Sequence, residues 1–313
     1  MIYGVLFLLA VIIAFVVALP GIMERRRRVM DRETRRSAPG KFAELSQGVT
    51  HYRWIGPVRG PVAVMIHGLT TSSPVWEDLA ETMADLGYRV LIYDLYNRGY
   101  SDNADGPHDL QVYLRQLDDL LADQKLNDGL TMVGYSMGGM IATAFAATEP
   151  HRMQRLILIA TAGVDVIESD FSKFCRTKPI IGPWLHGLCQ GLRFTRQINE
   201  DAYAAANPHI IDTQVMELDR RGYLPAVLDC RRNVLTQVQE KEHRSITRDG
   251  IPTIAIWGDE DKVIPISALG KVAQWNRKTH HETIEGAGHE LPYSHVAEIS
   301  DVLRKMLREQ KNI

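Results

Sequence analysis

A chain of 313 residues is long enough for one large domain or two modest ones, and for a sizeable buried core. At 45% hydrophobic and 24% charged residues its composition is globular, which excludes wholesale disorder and fibrous architectures. The net charge of −2 hides an uneven distribution: residues 24–36 hold seven arginines against Glu24, Asp31 and Glu33, leaving a body of −6 with no electrostatic case for nucleic acid.

The first predicted element is a membrane span. Met1–Leu19 carries no charged side chain and as a helix measures roughly 28 Å at 1.5 Å per residue, close to a bilayer core of roughly 30 Å. A cleaved signal peptide is the alternative, but no basic residue precedes the apolar run and no clean small-x-small site follows it. A core helix without a polar face would need cover on all sides. Residues 1–23 therefore read as an uncleaved anchor. Arg25, Arg26, Arg27, Arg28, Arg32, Arg35 and Arg36 come directly after it. By the positive-inside rule they place the N-terminus outside and the body in the cytoplasm, and they suit anionic headgroups. Residues 24–48, with Pro39, Gly40 and Gly48, read as a basic stem and a short tether.

From residue 49 short β-rich runs alternate with longer amphipathic ones. Strands are predicted over 49–55, 62–67, 88–94, 130–134, 155–160 and 251–257, with a weak one near Glu282–Ile284. Helices are predicted over Val75–Leu86, Leu110–Leu126, Met137–Thr148 and His295–Leu307. This alternation argues for an α/β fold, a mostly parallel sheet with helices on both faces. Residues 163–245 break the rhythm and read as helices, for example Ala202–Asn207 and Thr213–Arg221, forming a cap over one edge of the sheet. No internal repeat is visible.

The strongest chemical signal is Gly134-Tyr135-Ser136-Met137-Gly138, set between an apolar strand and an Ala-rich helix. That is the context a G-x-S-x-G nucleophile elbow needs: glycines let the chain close around a serine, and the helix opening behind it aims free N–H groups at the same point. A serine nucleophile needs a base, and the base an orienting acid. Downstream, Asp259 and Asp261 follow one predicted strand and His289 another, so Ser136, Asp261, His289 run in Ser…Asp…His order.

On these motifs, over about residues 49–310, the chain resembles the α/β-hydrolase superfamily. Two further motifs match: His67-Gly68-Leu69 after the second strand, and Asp94 with Arg98-Gly99-Tyr100-Ser101 after the third, where Asn97 replaces the family's first glycine. The resemblance implies an oxyanion hole from the Leu69 and Met137 backbone N–H groups, with His67 a structural neighbour rather than the base. Its G-x-x-D spacing from Gly258 selects Asp261 as the acid, leaving Asp259 as a capping or rim charge. It also implies acyl transfer to water with no cofactor and no metal, and the sequence holds no H-E-x-x-H or Cys/His cluster. Serine at the elbow argues against dehalogenase and epoxide hydrolase chemistry, for which relatives use aspartate.

Cys175, Cys189 and Cys230 fall in the cap, without a disulfide pattern or motif support as nucleophiles. Phe171, Phe174, Trp184, Phe194 and Tyr203 lie there too and either line an acyl pocket or pack the core. An anchor and basic stem set the body beside lipid, so the preferred substrate is a lipid-derived carboxylic ester such as a monoacylglycerol. The plan is similar to membrane-bound monoacylglycerol lipases. Ring-fission carbon–carbon hydrolases, generic small-ester esterases or thioesterases, acyltransferases and cofactor-free haloperoxidases share the triad and stay open.

Overall fold

The computed structural model describes residues 2–202 and 205–309. Their elements run α1 (Ile2–Arg26), β1 (Lys41–Leu45), β2 (Gly48–Ile55), β3 (Val62–Ile66), α2 (Glu77–Asp85), β4 (Arg89–Tyr93), α3 (Leu110–Asp123), β5 (Leu130–Tyr135), α4 (Met137–Thr148) and β6 (Met153–Ile159). They continue with α5 (Asp170–Thr177), α6 (Ile181–Asp201), α7 (Pro208–Leu218), α8 (Tyr223–Asn233), α9 (Glu240–Asp249), β7 (Thr253–Gly258), α10 (Ser267–Trp275), β8 (His280–Ile284), α11 (Leu291–Ser294) and α12 (Val296–Glu309).

The eight strands form one sheet in the order β1-β2-β4-β3-β5-β6-β7-β8. The β1–β2 and β2–β4 pairs are antiparallel and every other pair is parallel. Every residue of β5 and β7 is buried, which is why these runs are continuously apolar rather than alternating. Trp76, Leu79 and Met83 at and in α2 join Ile299 and Leu303 of α12 on one side of the sheet. Leu117 and Leu121 of α3, Ile141 and Phe145 of α4 and Val272 of α10 pack on the other. After β3 the chain turns to β4 on one side and later to β5 on the other. The carboxyl ends of β3 and β5 thus flank a topological switch point, where open α/β sheets bind their ligands.

Between β6 and β7 lie α5–α9. Helices α5–α8 pack on one another, whereas α9 packs on α4 and α10 at the flank of the sheet. The predicted helix over Ala202–Asn207 is not formed in its described part. Asn207 instead caps α7, its side chain accepting from the His209 amide, and Pro208 opens the helix at a position where a missing N–H costs nothing. Tyr203 lies outside the described residues.

The tether differs from the expectation more substantially. Lys41–Leu45 is a strand, paired antiparallel with β2. The stem also docks on the body: the Arg28 amide donates to Asp219 O (2.7 Å), the Arg221 amide to Arg28 O (2.9 Å), and Arg35 pairs with Asp102. Ahead of it, α1 is long and apolar enough to cross a membrane, and none of its residues is buried.

Candidate active site

Ser136 follows β5 directly and precedes the first residue of α4, with φ 53° and ψ −118°. This is a strained backbone for a residue with a Cβ, held only because its surroundings leave no alternative. Two glycines make the turn. A Cβ on Gly138 would collide with the carbonyl oxygens of Ile66 and His67, and one on Gly134 would lie 2.5 Å from Gly138 O. The elbow and the end of β3 therefore pack backbone to backbone, which brings the loop Gly68–Leu69 against Ser136.

His289 sits in the loop between β8 and α11, with Nε2 3.0 Å from Ser136 Oγ and Nδ1 2.8 Å from Asp261 Oδ2. The second Asp261 oxygen accepts from the Val263 and Ile264 amides at 2.7 and 2.8 Å, so the carboxylate is fixed from both sides. Asp259 turns the other way and accepts from the Gly286 amide at 2.7 Å, steadying the histidine loop. The structure thus brings Ser136, His289 and Asp261 into one hydrogen-bonded chain and keeps Asp259 out of it.

The other predicted site residues fall into place around this chain. Among the described residues the Leu69 amide donates no hydrogen bond. Met137 is the first residue of α4, so its N–H belongs to the helix's opening donors without an i−4 partner. His67 is fully buried, its Nε2 2.9 Å from the Leu95 amide and its Nδ1 2.9 Å from Gly68 O. Nε2 therefore accepts and Nδ1 carries the proton. Burial holds its pKa down to about 4 against the opposing charge of Asp94, so the ring is a neutral brace.

Three contributions were not legible in the motifs. Tyr135 donates from its hydroxyl to His289 O at 2.8 Å. Arg98, fully buried, donates from Nε to Leu69 O at 2.7 Å and from Nη1 to the Tyr96 and Asn97 carbonyls at 3.3 Å. Tyr223 of α8 donates to Thr70 O at 3.2 Å, tying the loop after β3 to the helical insertion. Tyr135 and Arg98 stand inside the motifs around Ser136 and after Asp94, but neither motif assigns them these contacts, and Tyr223 carries no motif. Asn97, the departure from the family's glycine, has φ 63°. Asparagine tolerates that left-handed backbone better than most residues, and its side chain accepts from the Ala104 amide at 3.1 Å.

A cavity of about 1220 Å³ opens above Ser136 and His289 and runs beneath α6 and α8. Its lining is mixed: Val164, Phe194, Leu235 and Val263 are apolar, while Arg193, Arg231, Glu290 and Asp201 bring charge. Burial, reinforced by the charge of Glu290, raises Asp201 to about 6. Of the aromatic residues expected in this region Phe194 lines the cavity, Phe171 lies under the Arg193 guanidinium and Trp184 turns to α1. Cys175 and Cys230 are buried and Cys189 is half-buried, all three as free thiols. Among the described residues no group of three or more His, Cys, Asp or Glu is placed to hold a metal.

Strand order, elbow and switch-point site define an α/β hydrolase. The chain belongs to the α/β-hydrolase fold family, whose pattern matches residues 61–218, and a hydrolase is the enzyme class that membership supports. It is 27% identical over 267 residues to the biotin biosynthesis bifunctional protein BioHC of Teredinibacter turnerae, covering 80% of this chain but only 45% of that larger protein. It is 27% identical over 238 residues to the non-heme chloroperoxidase CPO-A1 of Kitasatospora aureofaciens, covering 74% of this chain and 86% of the relative. Among solved structures, a bacterial membrane phospholipase A described as a virulence factor superposes with a TM-score of 0.70 at 20% identity, over 100% of this chain and 99% of its own. That likeness is one of fold, and its coverage extends through the N-terminal helix.

Proposed function

We propose that this protein is a membrane-anchored serine hydrolase that cleaves carboxylic esters of lipids, monoacylglycerols among them, through Ser136, His289 and Asp261. The observation that carries the reading is the Ser136–His289–Asp261 hydrogen-bonded chain at the floor of the 1220 Å³ cavity. Ser136 Oγ attacks the ester carbonyl as His289 Nε2 takes its proton, and Asp261 holds the imidazole and balances its charge. The Leu69 and Met137 N–H groups receive the oxyanion, where one such donor is worth about 3 kcal/mol. His289 returns the proton to the departing alkoxide, leaving an acyl-serine. It then draws a proton from water, which attacks the acyl carbonyl, and returns that proton to Ser136 Oγ as the acyl–oxygen bond breaks and the carboxylic acid leaves.

The lipid substrate rests on the surroundings. Ile167, Leu192 and Val238, each more than half exposed, stand on the lining of the cavity, an apolar rim suited to an acyl chain. One wall, α6, packs along α1. Arg25 and Arg26 in the last turn of α1 and Arg28, Arg32 and Arg36 after it remain exposed, which supports a body on the cytoplasmic side. We assign residues 1–23 as the anchor and, because β1 belongs to the sheet, residues 41–309 as the hydrolase domain with its helical cap. The test is fatty-acid release from monoacylglycerol in mixed micelles by the full chain, with Ser136→Ala alongside. Release that vanishes in the variant while its circular dichroism is unchanged supports the reading. Release undiminished in Ser136→Ala overturns the nucleophile. Hydrolysis of a short activated ester but not of monoacylglycerol keeps the nucleophile and overturns the lipid substrate.

A further inference from the structure

We infer that the corner between α5 and α6, carrying Phe174, Ile180 and Ile181, is a second membrane-inserted element whose partner is the lipid bilayer that α1 crosses. The inference rests on α1 being a transmembrane helix, and it follows from how α1 is joined to the body. Helices α1 and α6 lie side by side with their chains running the same way: Trp184 meets Val16, Gly187 meets Pro20, and Gly191 meets Arg27. The joint is specific. Pro20 has no N–H, so the carbonyl of Val16, four residues earlier, loses its helical donor. Trp184 supplies the missing donor, its indole Nε1 lying 3.1 Å from Val16 O. A Cβ on Gly187 would lie 2.9 Å from Pro20 Cβ, so the glycine admits the proline at close range.

Depth follows from this register. Glu24 is the first charged residue of α1, and Val16, eight residues before it, lies about 12 Å along the axis toward the apolar end. Trp184 sits at that level. Ile181, one turn before Trp184 on a helix of the same direction, lies about 4.5 Å farther the same way. Helix α1 cannot carry its apolar stretch into the hydrocarbon without bringing the start of α6 below the level of its first charge. The stem does not swing free, because Gly222 N donates to Glu24 Oε1 and Arg28 exchanges backbone hydrogen bonds with Asp219 and Arg221.

The side chains at the corner suit that position. Ile180 is 85% exposed, Ile181 58% and Phe174 40%. They form one patch, since Gly182 packs on the backbone of Cys175 and the Lys178 amide donates to Phe174 O at 3.0 Å. Lys173 and Lys178 stand exposed beside it. An apolar tip with aromatic and basic flanks is the composition of an interfacial anchor, whereas scattered exposed residues such as Val58 need no partner.

The test places a single environment-sensitive thiol label at Ile13, Ile181 or Val58, using Ile13→Cys, Ile181→Cys and Val58→Cys in a Cys189→Ala background. Cys175 and Cys230 are buried and stay unlabelled. The full chain is reconstituted into phosphatidylcholine vesicles containing doxyl-labelled lipid. The inference expects labels at 13 and 181 to lose more than half their emission to doxyl lipid and to resist aqueous iodide, with label 58 behaving oppositely. Iodide quenching at 181 alongside lipid quenching at 13 overturns the inserted corner and leaves the anchor standing. Iodide quenching at both overturns the anchor and the corner together.

Discussion

In the proposed mechanism Arg98 serves, from its buried place, a reaction it never touches. Its guanidinium clamps the carbonyl of Leu69, and that fixes the plane of the Leu69 peptide and the adjoining backbone that presents the N–H on its other side. Three carbonyls converge on this one planar fork, a geometry that the point charge of lysine does not reproduce. On the proposed mechanism the Leu69 N–H acts mainly on the oxyanion, so loosening it weakens transition-state binding more than substrate binding. Arg98→Lys is expected to lower kcat about 10- to 100-fold with KM changed less than threefold. Steady-state kinetics on a soluble ester, with melting curves to verify folding, decide it. A rise in KM at constant kcat overturns the positioning role. Residues of this kind escape sequence reading because their partners are distant in the chain. The glycines at 134 and 138 were legible because their requirement is steric and local, and the proposed triad of Ser136, Asp261 and His289 could be put forward because these residues follow strand ends in a fixed order.

At the scale of elements, the long buried strands β3, β5, β6 and β7 were readable from continuous apolar runs. β1 was not: only Ala43 of its five residues is buried, so Lys41–Leu45 shows no pattern and exists by pairing with β2. The docked stem was equally hidden, because the backbone hydrogen bonds joining Arg28 to Asp219 and Arg221 leave no trace in side-chain chemistry. The pairing of α1 with α6 is of the same kind, and it yields a stability prediction. Trp184→Phe keeps an aromatic ring but withdraws the donor from Val16 O, leaving a carbonyl unpaired against apolar surface. That loss costs about 1–3 kcal/mol and is expected to lower the melting midpoint of the detergent-solubilised chain by a few degrees. A midpoint unchanged within error would mean that Val16 O has another donor and that the joint is not what fixes α1.

For the molecule as a whole, buried histidines weaken the fold in acid, and Asp201, raised to about 6 by burial, works against only part of this. His67, His108, His186 and His243 are each pushed down to about 4, in every case chiefly by burial. Their unfolded value is near 6.5. Between pH 6.5 and 4 the unfolded chain therefore binds more protons than the folded one, and stability falls as pH falls through that window, by up to about 1.4 kcal/mol per pH unit for each histidine. The pair His51–Asp94, buried at 2.7 Å, does not offset this. Burial alone would lower His51, but the charge and hydrogen bond of Asp94 raise it, so its contribution is already complete below pH 6.5 and is lost only as pH rises through the folded value. Asp94 is buried too, yet His51 and its hydrogen bonds pull it well below the carboxylate range, and its contribution is lost only below about pH 4. His243 is the member to test. Among the described residues neither of its ring nitrogens has a hydrogen-bond partner, and its ring lies 6.0 Å from that of Trp275. His243→Phe preserves the shape and removes the proton site. The wild-type melting midpoint in detergent is expected to drop steeply from pH 7 to pH 5. The variant is expected to match or exceed it at pH 7 and to fall less steeply, by about 1.4 kcal/mol per pH unit. Parallel profiles for the two proteins would show that His243 is not held neutral by the fold.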